Sequence, residues 1–117
     1  MSQILFVQQS APHGSIVGQE GLDACLMGSA FADCALLFLG DGIYQILSGQ
    51  DTAGLGLKDY SVSYGVLPDY GVSQIFCREQ DLKNRGLQLD DLTLPVSPLS
   101  DQAVSDLIQH AGQVLTF

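Results

Sequence analysis

The sequence predicts an α/β fold: a single-domain three-layer sandwich, residues 1–117, with a mostly parallel sheet of about five strands. Three observations carry that expectation. Short apolar runs, "ILFV" (4–7), "CALLFL" (34–39) and "SQIFC" (73–77), alternate with amphipathic stretches. The second run is apolar at every position, as in a strand covered on both faces. The chain has 117 residues, 46% hydrophobic and 15% charged, enough for one core and too few for two.

Each element follows in order. Ile4–Val7 is the first strand. Gln19–Ala32 reads as a helix, because Leu22, Cys25, Leu26 and Ala30 recur at helical spacing on one side. Cys34–Leu39 is the second strand, and "GDGIYQILSG" (40–49) supplies a turn and a short helical piece. Residues 50–60 are glycine-rich and irregular, and a short helix is expected before Tyr70. Ser73–Cys77 forms the third strand, and the helix at about Glu79–Arg85 ends at Gly86. "LTLPVS" (92–97) is a weak fourth strand whose Pro95 places it at a strand end or sheet edge. Ser100 caps a last helix over Asp101–Ala111, and "QVLTF" (113–117) is a terminal strand. In such sheets ligands gather at the carboxyl ends of the strands. The "APHG" loop, "GDG" and Cys77 all fall there.

Charge excludes several roles. The chain carries 13 carboxylates, 4 cations and a net charge of −9, with every lysine and arginine between Lys58 and Arg85. Binding RNA, DNA or an anionic membrane requires cations arrayed along a surface, so no direct nucleic acid or membrane contact is expected. The N-terminal apolar run is too short for a signal peptide and no segment approaches the roughly 20 apolar residues of a membrane span. Three widely spaced cysteines make no disulfide framework, and a reduced, cytoplasmic setting is expected. The low charge fraction leaves surface suited to covering by a partner.

The glycine-spaced loop after the first strand invites a phosphate reading, which its details refuse. The glycines fall at 14, 18 and 21, not in a G-x-G-x-x-G pattern, and Gln19-Glu20 stands where a phosphate loop needs Lys-Ser/Thr. Glu20 in the first helical turn satisfies the helix dipole itself and repels phosphate. A receiver-domain reading fails too, since the third strand ends in Cys77 and no lysine follows Lys83. Cys25, Cys34, Cys77, His13 and His110 lack the paired spacings of a zinc site, so neither metal nor cofactor is expected. Cys25 and Cys34 read as small core hydrophobes, and His110 as a helix C-terminal residue. Cys77, between a strand end and a helix start, is the candidate catalytic residue, as a chemically active thiol. A helix N-terminus is worth about 0.3–1 kcal/mol to an anion, and one pKa unit is about 1.4 kcal/mol. Modest activation is therefore the most that position offers, and an inert sheltered thiol is the alternative.

"SAPHG", "GQEGLDA", "DGIYQIL" and then Cys77 with "LKNRGL" run nearly end to end through the chain, and in that order it resembles the DsrF/TusC family within the DsrE/DsrF/DsrH group. The resemblance implies one DsrE/DsrF-like domain that assembles with DsrE/TusD-like and DsrH/TusB-like subunits as a dimer of heterotrimers. It implies a sulfur relay, passing persulfide sulfur to an acceptor of the TusE/DsrC type toward 2-thiolation of the tRNA wobble uridine. In sulfur-oxidising bacteria the equivalent complex handles sulfur during cytoplasmic oxidation. The principal sulfur-carrying cysteine of the group belongs to the DsrE/TusD-type subunit, so this chain is expected to be a non-catalytic subunit. A sulfurtransferase in its own right, with Cys77 as the persulfide carrier, is the alternative. A stand-alone ligand-binding domain is disfavoured by the missing phosphate loop. His13, Gly14, Glu20, Asp23, Asp41, Gly42 and Gln45 are expected to form subunit contacts and one wall of a sulfur-handling cleft; the alternative is that they only shape the strand-to-helix turn. Partner recognition is assigned to Tyr44, Ile46 and the Tyr60, Tyr64, Tyr70 cluster, so that charges at Tyr44 and Ile46 should release a monomer.

Overall fold

Five parallel strands form one sheet in the order β4-β3-β2-β1-β5. This is a computed structural model, and it describes residues 3–11, 17–47, 67–72 and 74–117. The strands are β1 (Gln3–Gln8), β2 (Asp33–Phe38), β3 (Gln74–Arg78), β4 (Ser97–Leu99) and β5 (Gln113–Thr116), and the helices α1 (Val17–Gly28), α2 (Glu79–Asn84) and α3 (Asp101–His110). A 3-10 helix, Gly40–Ile46, follows β2, and shorter 3-10 turns cover Leu67–Tyr70 and Leu89–Asp91.

Side-chain alternation along the strands divides the core in two. Phe6, Cys34, Leu36, Phe38, Ile75 and Cys77 face one way and pack with Leu22 and Cys25 of α1, Ile43 and Ile46 of the 3-10 helix and Leu82 of α2. Leu5, Val7, Ala35 and Leu37 face the other way, toward Val104 and Leu107 of α3. Parallel crossovers are right-handed. The chain steps from β1 to β4 in one direction, which puts α1 and α2 on one face. The return from β4 to β5 runs the opposite way, which puts α3 on the other.

Several boundaries move from the sequence expectation. Helix α1 ends at Gly28, not Ala32, because Gly28 lies against Phe6 and Cys34: a Cβ there would meet Phe6 Cζ at 3.3 Å. Residues 29–32 continue as turns, with Phe31 and Ala32 N–H both bonding the Gly28 carbonyl. The fourth strand is Ser97–Leu99 instead of 92–97. Leu92 and Leu94 turn into the core, and Thr93 N–H bonds the Ile46 carbonyl at 2.8 Å, so this stretch belongs to the end of the 3-10 helix. Helix α2 stops where Gly86 adopts φ +65°. Ser100 caps α3, its hydroxyl accepting from Ala103 N–H at 3.2 Å. The expectations for residues 50–60, Tyr60 and Tyr64 lie outside the described residues. Among the described residues no helix is long and apolar enough to cross a membrane.

Candidate functional site at the carboxyl edge of the sheet

The carboxyl edge is organised around Gln8, the last residue of β1, which is fully buried. Two glycines of the sequence motifs press on it. A Cβ at Gly21 of α1 would lie 2.4 Å from Gln8 Oε1, and a Cβ at Gly42 would lie 2.0 Å from the Gln8 carbonyl oxygen. Gln45 Nε2 donates to the Ser10 carbonyl at 2.8 Å, tying the 3-10 helix to the loop that follows β1. Gly21 of the loop-and-helix motif and Gly42 of "GDG" therefore let two elements close over the end of one strand. Between β1 and β5, where open α/β sheets commonly seat ligands, Phe117 N–H bonds Val7 O at 2.8 Å and Phe117 O accepts from Gln9 N–H at 3.0 Å. The Phe117 ring stacks on Phe6 with centroids 6.4 Å apart.

An ion-pair network closes the β2–β3 side. Asp81, 4% exposed, accepts from Gly40 N–H at 2.8 Å and from Arg78 Nη1 at 3.0 Å, and lies 3.5 Å from Arg85 Nη1. Arg85 Nη2 reaches Asp41 at 2.9 Å, and its guanidinium sits 5.9 Å from the centroid of the Tyr44 ring. Arg78 Nε bonds Asp101 at 2.7 Å, linking β3 to the start of α3. The Arg78 hydrogen bond and charge hold the Asp101 carboxyl below its ordinary range. A depressed carboxylate pKa favours the folded state above the ordinary range, and that contribution is lost as pH falls through the depressed value. Arg78→Ala is expected to return the Asp101 carboxyl to ordinary titration, read from its side-chain carboxyl carbon by NMR; an unmoved midpoint contradicts the pairing.

Cys77 lies where the sequence placed it, near a strand end and before a helix, but it is buried. It lies within β3, two residues before α2, and its side chain is part of the core with no exposed surface. Burial first, and the Asp81 charge second, push its thiol up to about 11, so the expected activation by a helix end is reversed in sign. Burial pushes Cys25 up to about 12, aided by Cys34, and raises Cys34 as well. These raised pKa values favour the folded state at neutral pH, and the contribution fades as pH climbs from about 9 toward 11–12. At pH 7 a thiol at about 11 holds roughly a hundredfold less thiolate than one at the ordinary 9.0. Iodoacetamide is therefore expected to leave all three cysteines of the folded chain unlabelled and to modify them only in denaturant. Labelling of native Cys77 on the timescale of a free thiol would contradict this.

Among the described residues, the other predicted site residues divide between the surface and the interior. Glu20 and Asp23 are exposed on α1, Asp41 is exposed and paired, and Tyr44 is half-buried under Arg85. Gly42, Gln45 and Ile46 are buried and help build the interior. A charge at Ile46 breaks the core and does not read an interface. Tyr70 is 55% exposed. His13 and Gly14 lie outside the described residues. The residues that sequence reasoning passed over are Gln8 and the buried Asp81. The second had a visible signal, Arg78-x-x-Asp81-x-x-x-Arg85, which stacks two cations beside one carboxylate at helical spacing. Among the described residues no three His, Cys, Asp or Glu side chains converge to hold a metal ion.

Fold and edge together define a class: a small open-sheet α/β protein whose strand ends are closed by packing and ion pairs. The chain belongs to the DsrE/DsrF-like family, whose model matches residues 2–117. It is 41% identical over 118 residues, the whole of both chains, to the protein TusC homolog of Vibrio parahaemolyticus. It is 42% identical over 93 residues to the intracellular sulfur oxidation protein DsrF of Allochromatium vinosum, covering 79% of this chain and 68% of that one. TusC of Shigella flexneri is 34% identical over 119 residues, the whole of both chains. The crystal structure of the ychN protein from E. coli superposes with a TM-score of 0.84 over the whole of both chains at 21% identity, a likeness of fold.

Proposed function

We propose that this chain is a subunit of a cytoplasmic sulfur-relay complex, and that it contributes structure and partner contacts while another subunit carries the sulfur. The observation that supports this most is the pairing of whole-length similarity to TusC proteins with a Cys77 thiol that is buried and pushed up to about 11. A persulfide carrier needs a reachable thiolate. The complex joins this chain to DsrE/TusD-like and DsrH/TusB-like subunits as a dimer of heterotrimers and passes persulfide to a TusE/DsrC-type acceptor, toward 2-thiolation of the tRNA wobble uridine. With a net charge of −9 this subunit meets proteins and leaves RNA to others. The similarity to DsrF supports a second reading, the same assembly in sulfur oxidation. A sulfurtransferase acting through Cys77 itself needs that residue to come out of the core.

The test is to tag the chain in its host and weigh the gently purified complex by native mass spectrometry. Two companions of similar size support the relay, and the acceptor that accompanies them separates thiolation from oxidation. Recovery of the chain alone overturns it. Incubation with a cysteine desulfurase and cysteine decides the role of the thiol: sulfur on wild type and absent from Cys77→Ser assigns the carrier role to this chain.

A further inference from the structure

The two edges of the sheet are built differently. The β4 edge is three residues long and contains Pro98, which has no N–H to offer, and both features are standard protection of an edge. The β5 edge, Gln113–Thr116, has neither proline nor charge, and Gln113, Val114 and Thr116 are exposed. Its hydrogen-bonding direction is set by the ladder to β1. Phe117 makes both bonds to β1, through Val7 O and Gln9 N–H, so alternation turns Leu115 toward β1 as well and points the N–H and C=O of Val114 and Thr116 off the sheet. Four backbone groups thus face outward in a strand that, among the described residues, no other strand pairs on that side.

We propose that β5 pairs antiparallel with β5 of a second copy of this chain, joining two sheets across a two-fold axis through Leu115. In that register Val114 faces Thr116 of the partner copy and Thr116 faces its Val114. Each is a hydrogen-bonded pair, so all four outward groups are satisfied. The charge pattern favours a copy of the same chain at this place. Two bodies of net charge −9 repel, yet residues 107–117 contain no acidic side chain and no basic one apart from His110, so strands meet without opposed charged side chains. The contact is self-complementary, as a two-fold interface requires. It is also small, so the dimer is weak, with a dissociation constant on the order of 100 μM. Salt strengthens it by screening the repulsion of the two acidic bodies.

Sedimentation velocity of the purified full-length chain across that concentration range tests the pairing, with two variants. Thr116→Pro removes one outward N–H and leaves the bonds of Leu115 and Phe117 to β1 in place. Val114→Glu sets a carboxylate on each copy diagonally across the two-fold, adds to the repulsion of the two acidic bodies and changes no backbone. Circular dichroism checks that both fold. The expected result is a concentration-dependent wild-type dimer, tightened by salt and weakened about tenfold or more in each folded variant. A wild type that stays monomeric overturns the proposal, as does a dimer that both variants form equally well. A monomeric wild type whose companions in the host complex are lost on Thr116→Pro also overturns it, and gives this edge to a different strand. The pairing stands apart from the relay reading: self-association without companions removes the relay and keeps the edge contact.

Discussion

Gly42→Ala is expected to destabilise the chain by about 3 kcal/mol or more, at or above the top of the usual overpacking range, because the added methyl meets backbone. The new Cβ would lie 2.0 Å from the Gln8 carbonyl oxygen, 2.6 Å from its carbon and 2.9 Å from Gln9 Cα. No side-chain rotation relieves such contacts, so either the end of β1 or the whole 3-10 helix moves. The same carbonyl accepts the Leu39 N–H at 3.0 Å, a bond between the ends of β1 and β2 that stretches with it. A domain of this size has about 5–15 kcal/mol in hand, so the loss is a large share of its stability. Urea denaturation reads it as a lower midpoint at unchanged slope. Gly86→Ala is the control. It has open space around the Cβ and suffers only the left-handed backbone at φ +65°, about 1–2 kcal/mol. Equal losses in the two variants would contradict the clash.

Asp81→Ala is expected to lower stability by about 2–3 kcal/mol, near 10 °C in Tm. Removing one partner of a buried ion pair ordinarily costs about 3–5 kcal/mol, because the other charge is left without compensation. Here the arginines are partly solvated, with side chains 34% exposed at Arg78 and 19% at Arg85, and each keeps a second carboxylate, Asp101 and Asp41. That places the loss below the usual range. The Gly40 N–H loses its acceptor as well, at a turn where Gly40 holds φ +54°. Asp81→Asn keeps an oxygen acceptor and removes the charge, so it should fall between wild type and Asp81→Ala. Thermal unfolding of the three proteins gives the order. A Tm for Asp81→Ala within 2–3 °C of wild type would mean the network is surface decoration. The variant also touches the thiol: with the Asp81 charge gone, Cys77 remains raised by burial, the larger cause.

Local sequence was enough for the fold class, the first three strands and the capped helix α3. Each rests on neighbours in the chain. "CALLFL" is apolar at every position, and Ser100 finds its N–H three residues on. What the tertiary structure decided involves residues far apart in sequence. Arg85 meets Asp41 across 44 positions and Gln45 meets Ser10 across 35, so residues of those motifs fasten the strand ends, a role no local pattern displays. The side on which Cys77 falls was likewise decided by the sheet. A strand gives each residue one face or the other, and only the pairing of β3 with β2 shows that the thiol turns toward α1 and the core. The fourth strand shifted for the same reason, since Leu92 and Leu94 gain more from the apolar interior than from an edge. Local pattern sets which segments become strands and helices; which side chains end up facing water depends on what the rest of the chain packs against them.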